Sequence, residues 1–263
     1  MPVPRSPGNP LARLTAHPWL WLGVTLLSMP ACFLCARHVS HPLQWGMAAL
    51  GAAALAAATS NASSSHRRQT LTVVLLSIPI ELALSDGLGW YHYTFGTVPP
   101  WVPVGHGVVY FCALNLSGRL TPAGTRWLLA CVLPIACMYA LAGALTGAPD
   151  SVGMIATGML LAITVALKGR RGFFAVMWLL VCWLEVWGVS VGQWTWAEQI
   201  FTALPEGNPP AGIVGVYATA DLLVIGLAAL SYRRVPAAGA DPVPGTVRDH
   251  HLHVPGSDWA FDS

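Results

Sequence analysis

Charge is what this sequence has least of. Asp, Glu, Lys and Arg make up 9% of the 263 residues, whereas a soluble domain of average composition carries about 25%. Hydrophobic residues make up 55%, too large a share for one water-soluble core. The basic residues form no stripe interleaved with aromatic side chains, so we expect no nucleic-acid partner. The composition excludes an ordinary soluble domain and points to a membrane.

Motifs typical of cofactor binding and of covalent catalysis are also missing. The sequence contains no phosphate loop, no nucleophile elbow, no dinucleotide fingerprint and no haem motif, so we expect no cofactor. All six cysteines lie inside apolar blocks, which favours reduced, buried thiols over a disulfide framework. Cys32 and Cys35 have the C-x-x-C spacing of a redox or metal site. One turn of a helix produces that spacing too, and no βαβ pattern surrounds it.

Apolar residues fall in blocks of about the length that crosses a bilayer, 17 to 25 residues. Only helices and closed barrels satisfy their backbone inside lipid, and alternating ten-residue strands are absent. The sequence therefore predicts an all-α polytopic bundle of about eight transmembrane helices. The eight blocks cover residues 19–36, 43–60, 70–85, 101–117, 127–145, 152–167, 173–191 and 212–232.

The basic residues give the orientation, because positive charge accumulates on the cytoplasmic side. With eight spans and the N-terminus inside, Arg37 is the only basic residue on the outer side. We therefore expect an inner-membrane protein with both ends in the cytoplasm. The other twelve basic residues fall on the inner side: Arg5, Arg13, Arg67, Arg68, Arg119, Arg126, Lys168, Arg170, Arg171, Arg233, Arg234 and Arg248.

The first block could be a cleaved signal peptide, but its length and the absence of a cleavage site favour an uncleaved span.

Two segments repeat each other. One runs from Glu81 through an aromatic cluster to a Pro-Pro pair at 99–100 and a glycine at 105. The other runs from Glu185 in the same way to Pro-Pro at 209–210 and a glycine at 215. The acids are 104 residues apart, as are Trp90 and Trp194, and four spans separate the copies. The expected organisation is a cytoplasmic segment 1–17, parallel four-helix repeats at 18–120 and 121–233 around a pseudo-two-fold axis, and a disordered cytoplasmic tail 234–263.

Ionisable residues at membrane depth are costly and tend to be functional. We expect the candidate acids Glu81 and Glu185 to face each other below the outer surface, with Asp221 near mid-bilayer and His106 within the fourth span. An apolar surround keeps a carboxyl proton available near neutral pH, and aromatic faces stabilise cations. The candidate substrate-binding residues are Trp90, Tyr91, His92, Tyr93, Trp101, Tyr110, Trp194 and Trp196.

Each of these residues also has a structural interpretation. The buried acids can pin helices through hydrogen bonds, and Trp and Tyr at helix ends can form the usual interfacial belt. His106 with Glu81 and His92 could bind a metal, although the H-x-x-x-H spacing is absent, so we expect no metal.

The pattern Glu185-x-x-Gly188-x-x-x-Gly192-x-Trp194-x-Trp196, with its copy from Glu81 to Tyr93, resembles the carotenoid hydratases of bacteria and archaea. It is also similar to the plan of small multi-span terpene cyclases. The resemblance covers residues 70–115 and 175–225. It implies addition of water to an isoprenoid double bond, or cyclisation, without a cofactor. It also implies a candidate acid role for Glu81, Glu185 and Asp221.

Three functions remain open from the sequence. The first is an intramembrane enzyme that acts on a hydrophobic isoprenoid by carboxylate acid/base chemistry. The second is a small transporter or channel for ions or small molecules, because acids at a repeat interface are typical of that class. The third is a non-catalytic membrane scaffold. The sequence indicates no oligomeric state.

Overall fold

A computed structural model describes residues 18–36, 38–146, 149–201 and 203–233. Outside the described residues lie the expected N-terminal segment 1–17 and the expected tail 234–263. Arg37, the single basic residue assigned to the outer side, lies outside them too.

The described chain is all-α, with eight α-helices. Their bounds differ from the apolar blocks mainly at α3 and α5, which begin several residues earlier because polar first turns precede the apolar stretch. The helices are α1 Pro18–Ala36, α2 His41–Thr59, α3 Ser64–Glu81, α4 Val102–Ser117, α5 Pro122–Thr146, α6 Ser151–Ala166, α7 Arg171–Ser190 and α8 Val214–Arg233. A π-helical segment, Leu82–Gly87, continues α3, and a 3₁₀ turn, Lys168–Arg170, precedes α7.

Four helical stretches are long and apolar enough to cross a membrane: Trp19–Ala36, Ser64–Gly87, Pro122–Gly143 and Lys168–Ser190. Their outward surfaces are apolar as well. Leu27 is 75% exposed, Trp127 74% and Leu145 84%. A soluble protein rarely presents so much contiguous apolar surface to water. The chain is a membrane protein.

Two short antiparallel strands join the loops that follow α3 and α7. Tyr91–Tyr93 (β1) pairs with Trp194–Trp196 (β2), with His92 opposite Thr195 at the centre. The helix-only prediction missed this ladder. Its signal was the alternation in Tyr-His-Tyr and Trp-Thr-Trp, in which the outer aromatic residues are buried and the central residue is exposed. We call the end of the bundle where β1 and β2 lie the strand end. A second pair, Gln199–Ile200 (β3) and Leu204–Pro205 (β4), extends the later loop.

The structure corrects the alignment of the two copies. Gly89 and Gly192 both have positive φ, +65° and +67°, and each stands two residues before its strand. Their offset is 103, so Tyr91 corresponds to Trp194, and Trp90 does not. The first copy has one more residue between the acid and the glycine, and the π-helical segment accommodates it. There the N–H of Leu88 bonds to the carbonyl of Ala83, five residues back.

Four helices surround the centre of the bundle. Helix α3 packs against α4 and α8, and α7 packs against α4 and α8. Helices α1 and α2 cover α4, α5 covers α7, and α6 lies against α8. The two halves are only partly related by symmetry. Helix α5 makes its main contacts with α6 and α7, whereas α1, the first helix of the other half, contacts α4 and α7.

Helices α6 and α8 approach until their backbones touch. A Cβ on Gly215 would lie 2.6 Å from the carbonyl carbon of Ala156 and closer still to its oxygen. Gly212 is just as close to Gly153 and Thr157. Small residues permit such close helix contacts in membranes. The start of α8 is therefore fixed against α6.

Candidate functional site

A cavity lies among α1, α3, α4, α7 and α8 beneath the β1–β2 pair. It encloses about 680 Å³ of empty space, part of it open to the surroundings. Glu81, Glu185, His106 and Asp221, the four residues predicted to be catalytic, all line it.

The carboxylate of Glu81, at the end of α3, is held by three partners. Its Oε2 accepts hydrogen bonds from the Tyr91 hydroxyl at 2.6 Å and from the Tyr93 hydroxyl at 2.8 Å. Its Oε1 lies 2.7 Å from Nε2 of His106 on α4. Glu81 is 3% exposed, so these partners replace water.

Glu185, on α7, has a matching set of donors. Its Oε2 accepts from the indole N–H groups of Trp194 at 2.9 Å and Trp196 at 3.1 Å. Its Oε1 accepts from the hydroxyl of Tyr217, on α8, at 3.1 Å. In both cases one oxygen is held by two aromatic residues of the following strand, and the other is held by the next helix.

The third partners of the two acids touch each other. The ring of His106 stacks on that of Tyr217 with centroids 5.4 Å apart and planes inclined by 24°. This contact connects the surroundings of Glu81 and Glu185 at the centre of the bundle. The two carboxyl groups therefore lie in one cavity.

The donors on the two acids differ chemically. Glu81 is held by phenols and an imidazole, groups that can both donate and accept hydrogen bonds. Two of the three donors on Glu185 are indoles, which only donate. Burial and the Glu81 carboxylate raise the pKa of Tyr91, so that this phenol stays protonated and keeps its role as donor.

Asp221 lies deeper in the cavity, on the second turn of α8. It is 5% exposed, and its Oδ2 has no hydrogen-bond partner among the described residues. Tyr110, on α4, is fully buried and also lines the cavity; its hydroxyl donates to Oε1 of Gln69 at 3.0 Å. Gln69 in turn donates to Ser65 near the start of α3.

Aromatic rings form much of the cavity wall. Phe33 packs edge-on against Trp194, with centroids 5.2 Å apart, and lies 5.6 Å from the ring of Trp101. Of the eight residues predicted to bind substrate, six line the cavity, namely Tyr91, Tyr93, Trp101, Tyr110, Trp194 and Trp196.

Trp90 and His92 do not line the cavity. Trp90 lies outside it against Phe201, with centroids 5.5 Å apart, because the π-helical segment shifts the strand by one residue. His92 points to the other side of the strand from Tyr91 and Tyr93, is exposed, and lies over Gly89. It therefore does not join His106 and Glu81. Within the described ranges no three His, Cys, Asp or Glu side chains are grouped to hold a metal ion.

Sequence reasoning missed two parts of the site. Tyr217 was not singled out, although it lies two residues after Gly215, close to where His106 follows Gly105. Gln193 was also missed: it is fully buried and donates from Nε2 to the carbonyl of Phe33 at 2.6 Å, tying the strand end to α1. Nothing in the local sequence pattern marked that contact.

Asp150 stabilises the loop above α8. The carboxylate of Asp150 caps α6 by accepting from the N–H of Gly153, and it also accepts from the N–H groups of Gly207 and Ala211. Glu206 is buried next to it. Burial, and to a smaller degree the Asp150 carboxylate, raises the pKa of Glu206 to about 8.

The chain matches no protein-family profile, no curated protein and no solved structure. The chemistry of the cavity therefore has to carry any assignment of function.

Proposed function

We propose that this chain is an integral enzyme of the inner membrane that acts on a lipid-soluble isoprenoid by carboxylate acid/base chemistry. The reaction is hydration or cyclisation. The observation that carries the proposal is the pair of carboxyl groups, Glu81 and Glu185, each held by three donors in one aromatic cavity.

The proposal includes eight spans in two parallel four-helix repeats, with both ends in the cytoplasm. Three shorter apolar helices, Val102–Ser117, Ser151–Ala166 and Val214–Ala228, complement the four long ones, and α2 completes the eight. The β1–β2 pairing and the matched donors on the two acids support a pseudo-two-fold axis. The described basic residues all lie near helix ends remote from the strands, which supports a cytoplasmic location for that end: Arg67, Arg68, Arg119, Arg126, Lys168, Arg170, Arg171 and Arg233.

Glu185 is the better proton donor of the two acids. A proton on its Oε1 keeps a hydrogen bond, because the Tyr217 oxygen can accept it, while the indoles continue to donate to Oε2. Transfer of this proton to a carbon–carbon double bond forms a C–H bond and leaves a tertiary carbocation. The faces of Trp194, Trp196 and Trp101 can stabilise that positive charge.

Glu81 and His106 then act as the base. In hydration, water bonds to the carbocation and its extra proton passes to the Glu81–His106 pair. In cyclisation, a second double bond attacks the carbocation, and the ring releases a proton to the same pair. Both routes return the acid and base to their starting state after proton exchange, and neither needs an oxidant or a reductant.

The test is expression in cells that make acyclic isoprenoids, followed by lipid extraction and mass analysis. The wild-type chain should yield a product heavier by one water, or an isomer of unchanged mass. Glu81→Gln and Glu185→Gln should each abolish the product while the protein still inserts. Glu198→Gln, which alters an exposed loop acid, is the matched control and should retain turnover. Turnover by both cavity variants would reject the enzyme.

One observation favours proton or cation transport as a second candidate. Asp221, Tyr110 and Gln69 form a buried polar series from the cavity towards the start of α3, where it ends at the half-buried Ser65. Flux driven by a proton gradient in proteoliposomes, and lost in Asp221→Asn, would support a transporter. An isoprenoid product without such flux would exclude it.

A further inference from the structure

A second cavity opens from the first between α3 and α8. It encloses about 580 Å³ of empty space, part of it open, and it is also lined by Glu81, His106, Tyr217 and Asp221. These shared residues make it a side branch of the main cavity. The branch reaches Glu81 and Asp221 through the wall of the bundle, and Glu185 lies beyond them in the main cavity.

The rest of the branch is apolar except for Ser77, whose hydroxyl donates to the carbonyl of Val74 on its own helix. Leu76 and Ile80 line it from α3, and Val216, Ala220 and Val224 line it from α8. Both helices have strongly exposed apolar side chains beside this branch; Leu75 on α3 is 57% exposed and Leu223 on α8 is 58%. The outer surface on either side of the branch therefore faces hydrocarbon.

The strand end of the main cavity is closed. The β1–β2 ladder crosses it, and the rings of Tyr91, Tyr93, Trp194 and Trp196 are buried there at 5 to 7% exposure. Phe33 fills the space next to Trp194. Opening the cavity at the strand end would break backbone hydrogen bonds between β1 and β2.

The opposite end is filled by packed rings. Tyr110 packs against Phe173, and Phe173 packs against Phe174, with centroids 5.1 and 5.3 Å apart. All three are buried. His106, by contrast, keeps 20% of its side chain exposed, although Glu81 beside it is buried. His106 lines the side branch, so this exposure indicates where the site is accessible.

We propose that the branch between α3 and α8 is a portal through which an uncharged, bilayer-dissolved hydrocarbon chain reaches the acids sideways from the lipid. The two ends are closed, the walls of the branch are apolar apart from Ser77, and its ionisable groups lie at its inner end. A ligand of this class never has to cross water. The inference rests on the proposed function in taking this cavity as the reactive site.

Carbodiimides test the route without turnover. Dicyclohexylcarbodiimide dissolves in lipid and modifies protonated carboxyl groups, whereas a charged, water-soluble carbodiimide stays in the aqueous phase. In liposomes containing the full chain, the lipid-soluble reagent should label Glu185, read by mass analysis of the peptide. The water-soluble reagent should label it much more slowly.

Substitutions in the wall of the portal give the specific comparison. Ala220→Trp should fill the portal and slow labelling severalfold, and Leu76→Ala should widen it and accelerate labelling. Leu223→Trp places the same bulk on the lipid-facing side of α8 and should leave the rate unchanged. The opposite responses of Ala220→Trp and Leu76→Ala separate blockage from misfolding.

Three results would overturn the portal: no labelling of the wild type, equal labelling by both reagents, or a rate in folded Ala220→Trp equal to that of Leu223→Trp. Failure of the enzyme proposal looks different. In that case the labelling pattern persists while Glu81→Gln and Glu185→Gln still form product or the wild type forms none.

Discussion

Gly188 gives the sharpest test of the site geometry. A Cβ at this position on α7 would lie 2.6 Å from Cε2 of Trp194 and closer still to the outer ring carbons. Trp194 cannot easily retreat, because Phe33 packs edge-on against its ring and its backbone is paired with Tyr93. Gly188→Ala therefore has to displace the indole that donates to Glu185.

The expected cost has two parts. Overpacking a filled core costs about 1 to 3 kcal/mol, and weakening the hydrogen bond from Trp194 to Glu185 costs about 0.5 to 1.5 kcal/mol. Together we expect a loss of about 2 to 4 kcal/mol in the free energy of unfolding. At about 2 to 4 °C per kcal/mol for a chain of this size, Tm should fall by at least about 4 °C. Gly226→Ala, where nothing lies within 4 Å of the new Cβ, should leave Tm unchanged or raise it slightly.

A double-mutant cycle isolates the cause. Phenylalanine at Trp194 lacks the outer ring atoms that the new methyl group meets. Gly188→Ala should therefore cost less than about 1 kcal/mol in the Trp194→Phe background, giving a coupling of about 1 to 3 kcal/mol. Thermal unfolding of the purified protein in detergent measures all four states. Strictly additive losses, or a Gly188→Ala protein as stable as wild type, would refute the packing described here.

Two further predictions concern the loop above α8 and the α6–α8 contact. The pKa of Glu206 is raised from 4.5 to about 8 in the folded chain, so the native state loses stability as pH rises from about 4.5 to about 8, and its stability is constant above that. Glu206→Gln should flatten this dependence, and its Tm should exceed that of wild type at pH 9 by at least about 2 °C. The same advantage at pH 4 would contradict the assignment. Gly215→Ala should separate α6 from α8 and destabilise the fold more than Gly226→Ala does, as measured by the Tm of each variant; equal Tm values would show that the helices do not touch there.

The helical membrane architecture could be predicted from the sequence because apolar block length is set by bilayer thickness. Every predicted block coincides with an observed helix. The acids Glu81 and Glu185 could be paired because the same residue types follow each of them. These features depend on local composition and on repetition, which a single sequence displays directly.

The register of the aromatic residues could not be predicted. Matching Trp90 to Trp194 by residue type was wrong, because one extra residue in Leu82–Gly87 widens the helix and moves the strand by one position. A sequence does not say whether an added residue enters a loop or a helical turn. The consequence was chemical, because the true counterparts of the indoles are the phenols of Tyr91 and Tyr93.

Contacts between distant segments were also beyond sequence reasoning. Gln193 bonds to Phe33, 160 residues away, and Tyr217 joins Glu185 from another helix. The hydrogen-bonding capacity of a side chain is known from its type, but its partner depends on the packing of whole helices. The role of Asp150 in holding Gly207 and Ala211 depends in the same way on tertiary structure.

The close backbone contact of α8 with α6 decides which wall of the bundle can move. The contact of Gly215 with Ala156 fixes the first turn of α8 against α6. Tyr217, which donates to Glu185, is therefore held in place. Helix α3 has fewer constraints near its end. Pro79 removes one backbone hydrogen bond, and the π-helical segment Leu82–Gly87 follows directly. Any swing of α3 away from α8 would pivot close to Glu81 and change its hydrogen bond to His106. Under the proposed function, admission of a ligand between α3 and α8 and loosening of this hydrogen bond would be one motion.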